Sequence, residues 1–404
     1  MSHAGRIIGI PGLEVTRVKR KRRIDIWARP SKRQSCCRYC DSSSIRIKAT
    51  YKRTVKHTRS GNQVMILHLK VPKYHCQHCG RYFRHTFIGL KPRYRSTENF
   101  RMEVFEAHHG GVTQRKLWRT HQISHATVER WYRDYLQIKH KEQDRQRCPR
   151  VLGIDEHFFT RKKGYATTFV DLKNHHVFDV KLGRSELSLA PYLKGLRGKE
   201  QVQIIVMDLS MTYRNIAKQY FPNATIVADR FHVVRLINQH FLKLWQQHDP
   251  EGRKNRGLIS LMRRHEWHLQ DPQHAKLMNY LEGYPVLREL YDAKQRLIRF
   301  MLLRTVTRQR AQKQLPRLLR LLKQLDLSPL RTLAKTLRSW LEAIVAMWRF
   351  SKTNGITEGF HTKMEMISRR AYGFRNFENY RLRVLTHCGW DGIINRVAMN
   401  AIPR

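Results

Sequence analysis

The sequence predicts an α/β protein with a mixed central sheet, a helical insertion, and a small cysteine-containing segment ahead of the sheet. Three observations indicate this class. Five of the seven cysteines lie in the first 80 residues, strand and helix patterns alternate after residue 150, and leucines recur at helical spacing after residue 310. At 404 residues, 41% of them hydrophobic, the chain is long enough for roughly two to three domains of about 150 residues each.

The charge of the chain indicates a polyanionic partner. Seventy-nine Lys and Arg residues against 31 Asp and Glu residues give a net charge of +48. An excess of this size favours phosphate binding, and we expect the partner to be double-stranded DNA. The sequence has no lipidation motif, no signal peptide and no apolar stretch of about 18 residues. We therefore expect a cytoplasmic, nucleoid-associated protein with no membrane partner and no small-molecule substrate.

Four cysteines near the start of the chain predict a zinc ribbon in a DNA-binding head. Two C-x-x-C knuckles, Cys37 with Cys40 and Cys76 with Cys79, each place two thiolates on one side of a tight turn. Together they supply the ligands of a tetrahedral structural Zn²⁺ site. Cys36 remains an alternative to Cys37. The odd number of cysteines, without a secretion signal, argues against a disulfide framework.

A helix, a short turn and a second helix are predicted between Thr113 and Tyr132, where Ser124 is placed to cap the second helix. In a helix-turn-helix the second helix enters the major groove of DNA, while phosphate contacts fix its position. The side chains expected to contact DNA are Lys116 and Arg119 at phosphates and Thr127 and Arg130 at bases. The alternative interpretation is a helical hairpin that only links two domains.

After residue 150 the predicted order is three strands, then helix, strand, helix and strand. The predicted bounds are 151–159, 165–172, 175–182, 186–196, 201–207, 212–220 and 224–228. Three hairpin-linked strands followed by alternating helices and strands is the plan of a ribonuclease-H-like fold. In that plan the sheet is mixed, helices cover both faces, and the first and fourth strands are neighbours.

The rest of the chain is predicted to be helical, because leucines recur around Pro316 and no glycine lies between Gly283 and Gly355. One long helix is expected from about Ile356, followed by a loop at Gly373 and a closing helix. The predicted domains are a zinc-ribbon head (1–95), a helix-turn-helix segment (96–147), the first part of the ribonuclease-H-like core (148–234), a helical insertion (235–350), and the C-terminal helices of the core (351–404).

Three carboxylates are the candidate catalytic and metal-binding groups. Asp155 and Asp208 each follow an apolar strand, and the topology brings those strands together. Two close acids repel each other unless a hard cation lies between them, which favours Mg²⁺ or Mn²⁺. Glu358, after a predicted helix start, would be the third ligand. Asp229 also follows an apolar strand and remains an alternative to Asp208; otherwise Asp229 and His232 would support the ligands or position DNA.

These motifs resemble the ISL3 family of bacterial insertion-sequence transposases over nearly the whole chain. The resemblance rests on the two knuckles, the helix-turn-helix and a set of short segments: Gly153-Ile154-Asp155-Glu156, Met207-Asp208, Asp229-Arg230-Phe231-His232, Asn354-Gly355-Ile356-Thr357-Glu358 and Arg369-Arg370-Ala371-Tyr372-Gly373-Phe374-Arg375-Asn376-Phe377. The family implies a DDE-type core, in which two Asp and one Glu hold the metal, with a helical insertion before the catalytic Glu. It also implies binding to the element's terminal inverted repeats, excision and insertion, and action as a homodimer or higher oligomer.

Two other functions fit parts of the sequence. One is a transposase-derived regulator that binds DNA but has lost catalysis. The other is a nuclease or resolvase on the same type of core. Magnesium-dependent joining of DNA strands, in addition to cutting, distinguishes a transposase from both.

Overall fold

The computed structural model describes residues 8–143, 147–324, 327–350 and 355–389. These residues fall into two compact units, which divide between residues 144 and 145. No helix in the described ranges is both long and apolar enough to cross a bilayer.

The first unit is built on a five-stranded sheet. Its strands are β1 (Leu13–Arg20), β2 (Ile24–Pro30), β3 (Ile45–Ser60), β4 (Gln63–Cys76) and β5 (Tyr82–Arg84). The order is β1-β2-β4-β3, and β5 pairs with the end of β4. β3 and β4 form a long antiparallel hairpin, because Gly61 adopts the left-handed conformation that its tight turn requires (φ +58°). Alternate apolar residues of β2, β3 and β4 are buried together.

Three helices complete the first unit: α1 (Glu98–His109), α2 (Gln114–His121) and α3 (His125–Gln143). Thr97 and Thr113 cap α1 and α2 by accepting backbone N–H bonds. Ser124 accepts an N–H bond from Thr127 at the start of α3, as predicted. α2 ends at His121, and the left-handed backbone of the next residue, Gln122 (φ 53°), turns the chain into α3. The helices share a core that includes Phe100, Leu117, Val128 and Trp131.

The second unit contains a mixed sheet of five strands in the order β10-β9-β6-β7-β8. The strands are β6 (Val151–Thr160), β7 (Gly164–Asp171), β8 (His176–Leu182), β9 (Ile204–Met207) and β10 (Thr225–Ala228). β6, β7 and β8 are antiparallel neighbours, whereas β9 and β10 are parallel to β6. The first and fourth strands of this unit are therefore adjacent, as the sequence predicts.

Helices pack on both faces of this sheet. On one face, α4 (Glu186–Gly195) and α5 (Met211–Tyr220) cover Leu152, Ile154 and Ile205. On the other face, Val206 and Val227 join a large helical core. The helices after β10 are α6 (Arg230–His248), α7 (Arg256–Arg263), α8 (Asp271–Glu282), α9 (Pro285–Leu302), α10 (Arg308–Gln324), α11 (Ser328–Ser339), α12 (Leu341–Ala346), α13 (Gly355–Arg370) and α14 (Phe377–Cys388).

All seven elements predicted between residues 151 and 228 are present, with one clear error of boundary. The strand expected from residue 201 begins at Ile204, because Lys199–Gln201 form a 3₁₀ turn after Gly198, whose φ is +74°. The predicted loop at Gly373 is also present, with φ +87°, between α13 and α14. Asn354, which precedes the predicted start of the Glu358 helix, lies outside the described residues, as does the chain after residue 389.

Candidate functional site

Three aspartates lie side by side at one edge of the second unit's sheet. Ile154, Met207 and Ala228 are aligned across the parallel strands β6, β9 and β10, and each is followed at once by an aspartate. The aligned acids are Asp155, Asp208 and Asp229. The two acids that the sequence offered as alternatives are therefore neighbours at the same sheet edge.

Asp155 is buried, with 6% of its surface exposed, and has little compensation for its charge. One carboxylate oxygen accepts the backbone N–H of Glu156 at 2.8 Å. Burial raises the pKa of Asp155 to about 7, and the negative charges of Asp208, Asp229 and Glu156 add to that rise. A cation at this edge would restore the ionised form.

Asp208 lies in a similar environment on the adjacent strand. Burial raises its pKa, opposed by the nearby His232 and assisted by the charges of Glu156 and Asp229. Its Oδ1 atom is buried and has no hydrogen-bond partner among the residues that the structure describes. A buried carboxylate oxygen of this kind is costly unless a ligand binds it.

Asp229 is engaged by its own helix. It is the N-cap of α6, where Oδ1 accepts the N–H of Phe231 at 3.4 Å, and its Oδ2 lies 3.3 Å from Nδ1 of His232. Only 1% of its surface is exposed. These contacts explain how Asp229 can be buried so deeply.

Helix α13 brings Glu358 to the same face of the sheet as Asp155. Leu152 and Ile154 face α4 and α5, so the alternation of β6 turns Asp155 to the other face. α13 packs on that face, where His361 Nδ1 lies 3.9 Å from Asp155 Oδ2. Glu358 is half-buried and lies one turn before His361 on the same side of the helix.

A chain of polar side chains extends from Asp155 into the interior. The hydroxyl of Thr168 lies 3.1 Å from Nε2 of His361 and 3.0 Å from Nδ1 of His157. The other nitrogen of His157 is 2.8 Å from the hydroxyl of Tyr380. Burial lowers the pKa of His361 to about 4 and that of His157 to about 3, so both rings are neutral near pH 7.

One signal in the sequence could have identified His157. It lies two residues after Asp155 in the predicted strand 151–159, and residues two apart share a face. Thr168 and Tyr380 carried no comparable signal, because their contacts depend on strand register and on the packing of α14.

The donor set at this edge fits a hard divalent cation. It consists of carboxylates, the ligand type that Mg²⁺ and Mn²⁺ prefer, with one buried oxygen unpartnered and two raised pKa values.

The four cysteines of the two knuckles converge in the first unit. Their sulfur atoms all lie within 4.8 Å of one another, and the pairs Cys37–Cys79 and Cys40–Cys76 are each 3.7 Å apart. Tetrahedral zinc with bonds of about 2.3 Å requires sulfur separations of about 3.8 Å. Cys36 is not part of the group.

Local backbone geometry explains why the two knuckles match. Each first cysteine accepts a backbone bond from the residue four positions later, from Asp41 to Cys37 and from Gly80 to Cys76. Both later residues are left-handed, with φ of 53° and 68°. Two similar turns thus present two thiols each, and the cluster supports a structural Zn²⁺ site.

The predicted DNA contacts on α2 and α3 differ in accessibility. Lys116, Arg119 and Arg130 are exposed. Thr127 is half-buried, and its hydroxyl lies 2.9 Å from that of Ser124 at the helix start.

Comparison with known proteins adds two family matches and one relative. A family model described as a transposase of the ISL3 type matches residues 152–384. A second model, described as the zinc-finger of transposases IS204, IS1001, IS1096 and IS1165, matches residues 33–79. The transposase for insertion sequence element IS1001 of Bordetella parapertussis is 23% identical over 379 residues, which cover 90% of this chain and 91% of the relative.

Proposed function

The chain belongs to the ISL3 family of DDE transposases, enzymes that act on DNA. We propose that it binds the terminal inverted repeats of its own insertion sequence and catalyses magnesium-dependent strand cleavage and strand transfer. The observation that carries the proposal is the row of three aspartates that directly follow the aligned residues Ile154, Met207 and Ala228 of β6, β9 and β10. The raised pKa values of Asp155 and Asp208 and the unpartnered oxygen of Asp208 are the features of a site that requires a cation.

We assign the metal-binding roles to Asp155, Asp208 and Glu358. Bound Mg²⁺ would activate the attacking hydroxyl and stabilise the leaving 3′ oxygen, a division of work known for two-metal phosphoryl transfer. Asp155 and Asp208 hold negative charge at the edge of the sheet, and Glu358 adds a third carboxylate from α13. Thr168, His157 and Tyr380 fix the ring of His361, and His361 in turn limits the orientations that Asp155 can adopt.

Asp208 is favoured over Asp229 as the second ligand. Asp229 already caps α6 and contacts His232, so metal binding would compete with the helix cap. Asp208 has a buried oxygen with no such engagement within the described ranges. We propose that Asp229 and His232 support Asp208 or position DNA beside it.

The remaining assignments follow the family. The sheet of the second unit would be a ribonuclease-H-like core, residues 235–350 its helical insertion, and α2 and α3 a helix-turn-helix that reads the element ends through Thr127 and Arg130. Lys116 and Arg119 would contact phosphates. A homodimer or higher oligomer would bring the two ends together, and the net charge of +48 favours association with the nucleoid.

Cleavage of labelled DNA from the ends of the element tests the assignment. With Mg²⁺, wild-type protein should release the 3′ strand end and join it to target DNA, because a transposase uses the same acids for both steps. Asp155→Asn, Asp208→Asn and Glu358→Gln should each reduce cleavage by at least about 10³-fold while end binding persists. Glu365→Gln is the matched control, since Glu365 lies on α13 in an exposed ion pair with Arg369.

The outcomes separate the alternatives. If Asp229→Asn abolishes cleavage and Asp208→Asn does not, the second ligand is Asp229. If the wild type binds the ends without cutting them, the regulator is the better description. Cutting without joining would favour a nuclease or resolvase.

A further inference from the structure

The first unit contains a groove that is lined by cations and has no neutralising acid. Its volume is about 550 Å³, and it lies between β3, β5 and the loop before α1. Among the described residues that line it there is no Asp or Glu. The six cationic side chains that line it are Arg38, Lys52, Arg53, Arg84, Arg93 and Arg95.

Arg53 shows why this groove is unusual. It is half-buried, and its Nη2 donates to the backbone carbonyls of Lys91 and Tyr94, both at 2.6 Å. Burial lowers its pKa, and the nearby charge of Arg84 lowers it further. Partly buried cations are normally paired with carboxylates. Beside Arg53 lies a second cation, Arg84, which repels it.

None of the six cations forms an ion pair with a carboxylate in the part of the chain that the structure describes. Arg84 instead lies over the ring of Tyr51, 4.8 Å from its centre. Stacking of this kind holds a guanidinium flat and leaves its in-plane N–H groups available for a phosphate. The mutual repulsion of unpaired cations is relieved most directly by a bound polyanion.

The groove is connected to the two-helix segment of the same unit. The guanidinium of Arg101 lies 4.1 Å from the ring centre of Tyr94, which lines the groove, and 4.8 Å from that of Trp131 in α3. One arginine therefore packs between the groove wall and the helix that we propose to read DNA. A duplex held by α3 has phosphates on either side of the contacted bases.

We propose that this groove binds the phosphodiester backbone of the same DNA duplex that α3 reads, and so extends the recognised site beyond the helix-turn-helix. The inference rests on the proposed function for the identity of the DNA. The contact itself is with phosphates and is independent of base sequence. Six of the described lining residues are cationic and none is acidic, which favours an anionic ligand over an uncharged small molecule.

The test compares two double variants of equal charge. Arg84→Gln with Arg93→Gln removes two exposed groove cations. Arg22→Gln with Arg33→Gln removes two exposed cations elsewhere in the unit, neither of which lines the groove. Affinity for a duplex containing the element end is measured by fluorescence anisotropy over a range of salt concentrations, after zinc content and circular dichroism are matched.

The groove variant should bind at least about tenfold more weakly than wild type at physiological salt. The plot of log Kobs against log salt concentration should become shallower by a slope of about 0.9 for each lost phosphate contact, and we expect about one to two contacts to be lost. Ethylation interference should lose one or two phosphates in that variant alone. Using Arg84→Lys in place of Arg84→Gln in the groove variant should recover part of the affinity that this variant loses. Equal losses in both double variants, or an unchanged ethylation pattern, would overturn the proposal.

A random duplex distinguishes failure of this inference from failure of the proposed function. If wild-type protein does not prefer the element end, the end-recognition proposal fails. The groove variant should nevertheless bind the random duplex more weakly than the control variant, because the contact is with phosphates.

Discussion

At the scale of single residues, the aspartate row is a costly arrangement that only a bound cation makes favourable. Asp155 and Asp208 are on adjacent strands, their pKa values are raised mainly by burial, and Asp229 adds a further charge next to them. Such a cluster lowers the free energy of unfolding of the metal-free protein, and a bound cation offsets this loss by neutralising the carboxylates. His361, fixed by Thr168, is the residue that connects this cluster to α13.

Replacing Asp155 should therefore stabilise the metal-free protein. Asp155→Asn removes a buried charge, and we expect its Tm at pH 7.5 without divalent metal to exceed that of wild type by several degrees, about 2–4 °C per kcal/mol for a unit of this size. Millimolar Mg²⁺ should raise the Tm of wild type and have little effect on the variant. The measurement is differential scanning fluorimetry.

Glu156→Gln serves as the control for this comparison. Glu156 is the adjacent acid and pairs with Arg184 at 3.1 Å, outside the proposed ligand set. It should retain the response to Mg²⁺. An undiminished response in Asp155→Asn would show that the metal binds elsewhere.

At the scale of elements, the helical block encloses Lys294, for which the described residues provide no ion pair with a carboxylate. Lys294 of α9 is 3% exposed, donates to the carbonyl of Met262 in α7, and lies 5.1 Å from the ring centres of Phe241 and Tyr291. Burial lowers its pKa to about 7. The helices thus pack around a group that is close to neutral at physiological pH.

The stability of wild type should rise with pH between about 7 and 10, because in this window the unfolded chain binds a proton that folded Lys294 does not. Lys294→Met should remove this rise, which is on the order of a few kcal/mol at full extent. Lys276→Met, an exposed lysine of α8, should leave it unchanged. Urea unfolding followed by circular dichroism at pH 7 and pH 9.5 gives the comparison, and parallel slopes for all three proteins would contradict it.

At the scale of the whole molecule, the chain is two compact units with different chemistry. The first has the cysteine cluster and the cationic groove, and the second has the acidic edge. The net charge of +48 is therefore combined with a local concentration of negative charge at the candidate catalytic site. Binding of the element ends and binding of Mg²⁺ are expected to depend on different units.

Loss of zinc should affect the first unit selectively. Cys76→Ser removes one of the four clustered thiols, so we expect bound zinc to fall from about one per chain to near zero and affinity for the element end to fall at least about tenfold. The Mg²⁺-induced stabilisation of the second unit should remain. Cys36→Ser is the control, because Cys36 adjoins the knuckle but lies outside the cluster.

Zinc content by mass spectrometry and Mg²⁺ titration in the same preparations provide the readouts. Retention of zinc by Cys76→Ser would indicate a different ligand set. Loss of the Mg²⁺ response in that variant would indicate that the two units do not act separately.

Features that depend on local pattern could be predicted from the sequence. Apolar periodicity located the seven elements from residue 151 to 228, and paired C-x-x-C motifs identified the four clustered cysteines. Strand order, combined with known topological preferences, placed Asp155 and Asp208 on adjacent strands. These features follow from neighbours in the chain, whose periods and turns are visible without a structure.

Contacts between side chains that are distant in the sequence follow from the packed fold. Asp208 and Asp229 were alternatives in the sequence because each follows a buried strand, and the register of β9 and β10 places both at one edge. Strand register and helix packing create the series of polar contacts from Asp155 through Thr168 to Tyr380. They also create the groove between β3, β5 and the loop before α1. Periodicity records which face a residue occupies, whereas a contact requires the relative position of two elements, which is fixed only when the core is packed.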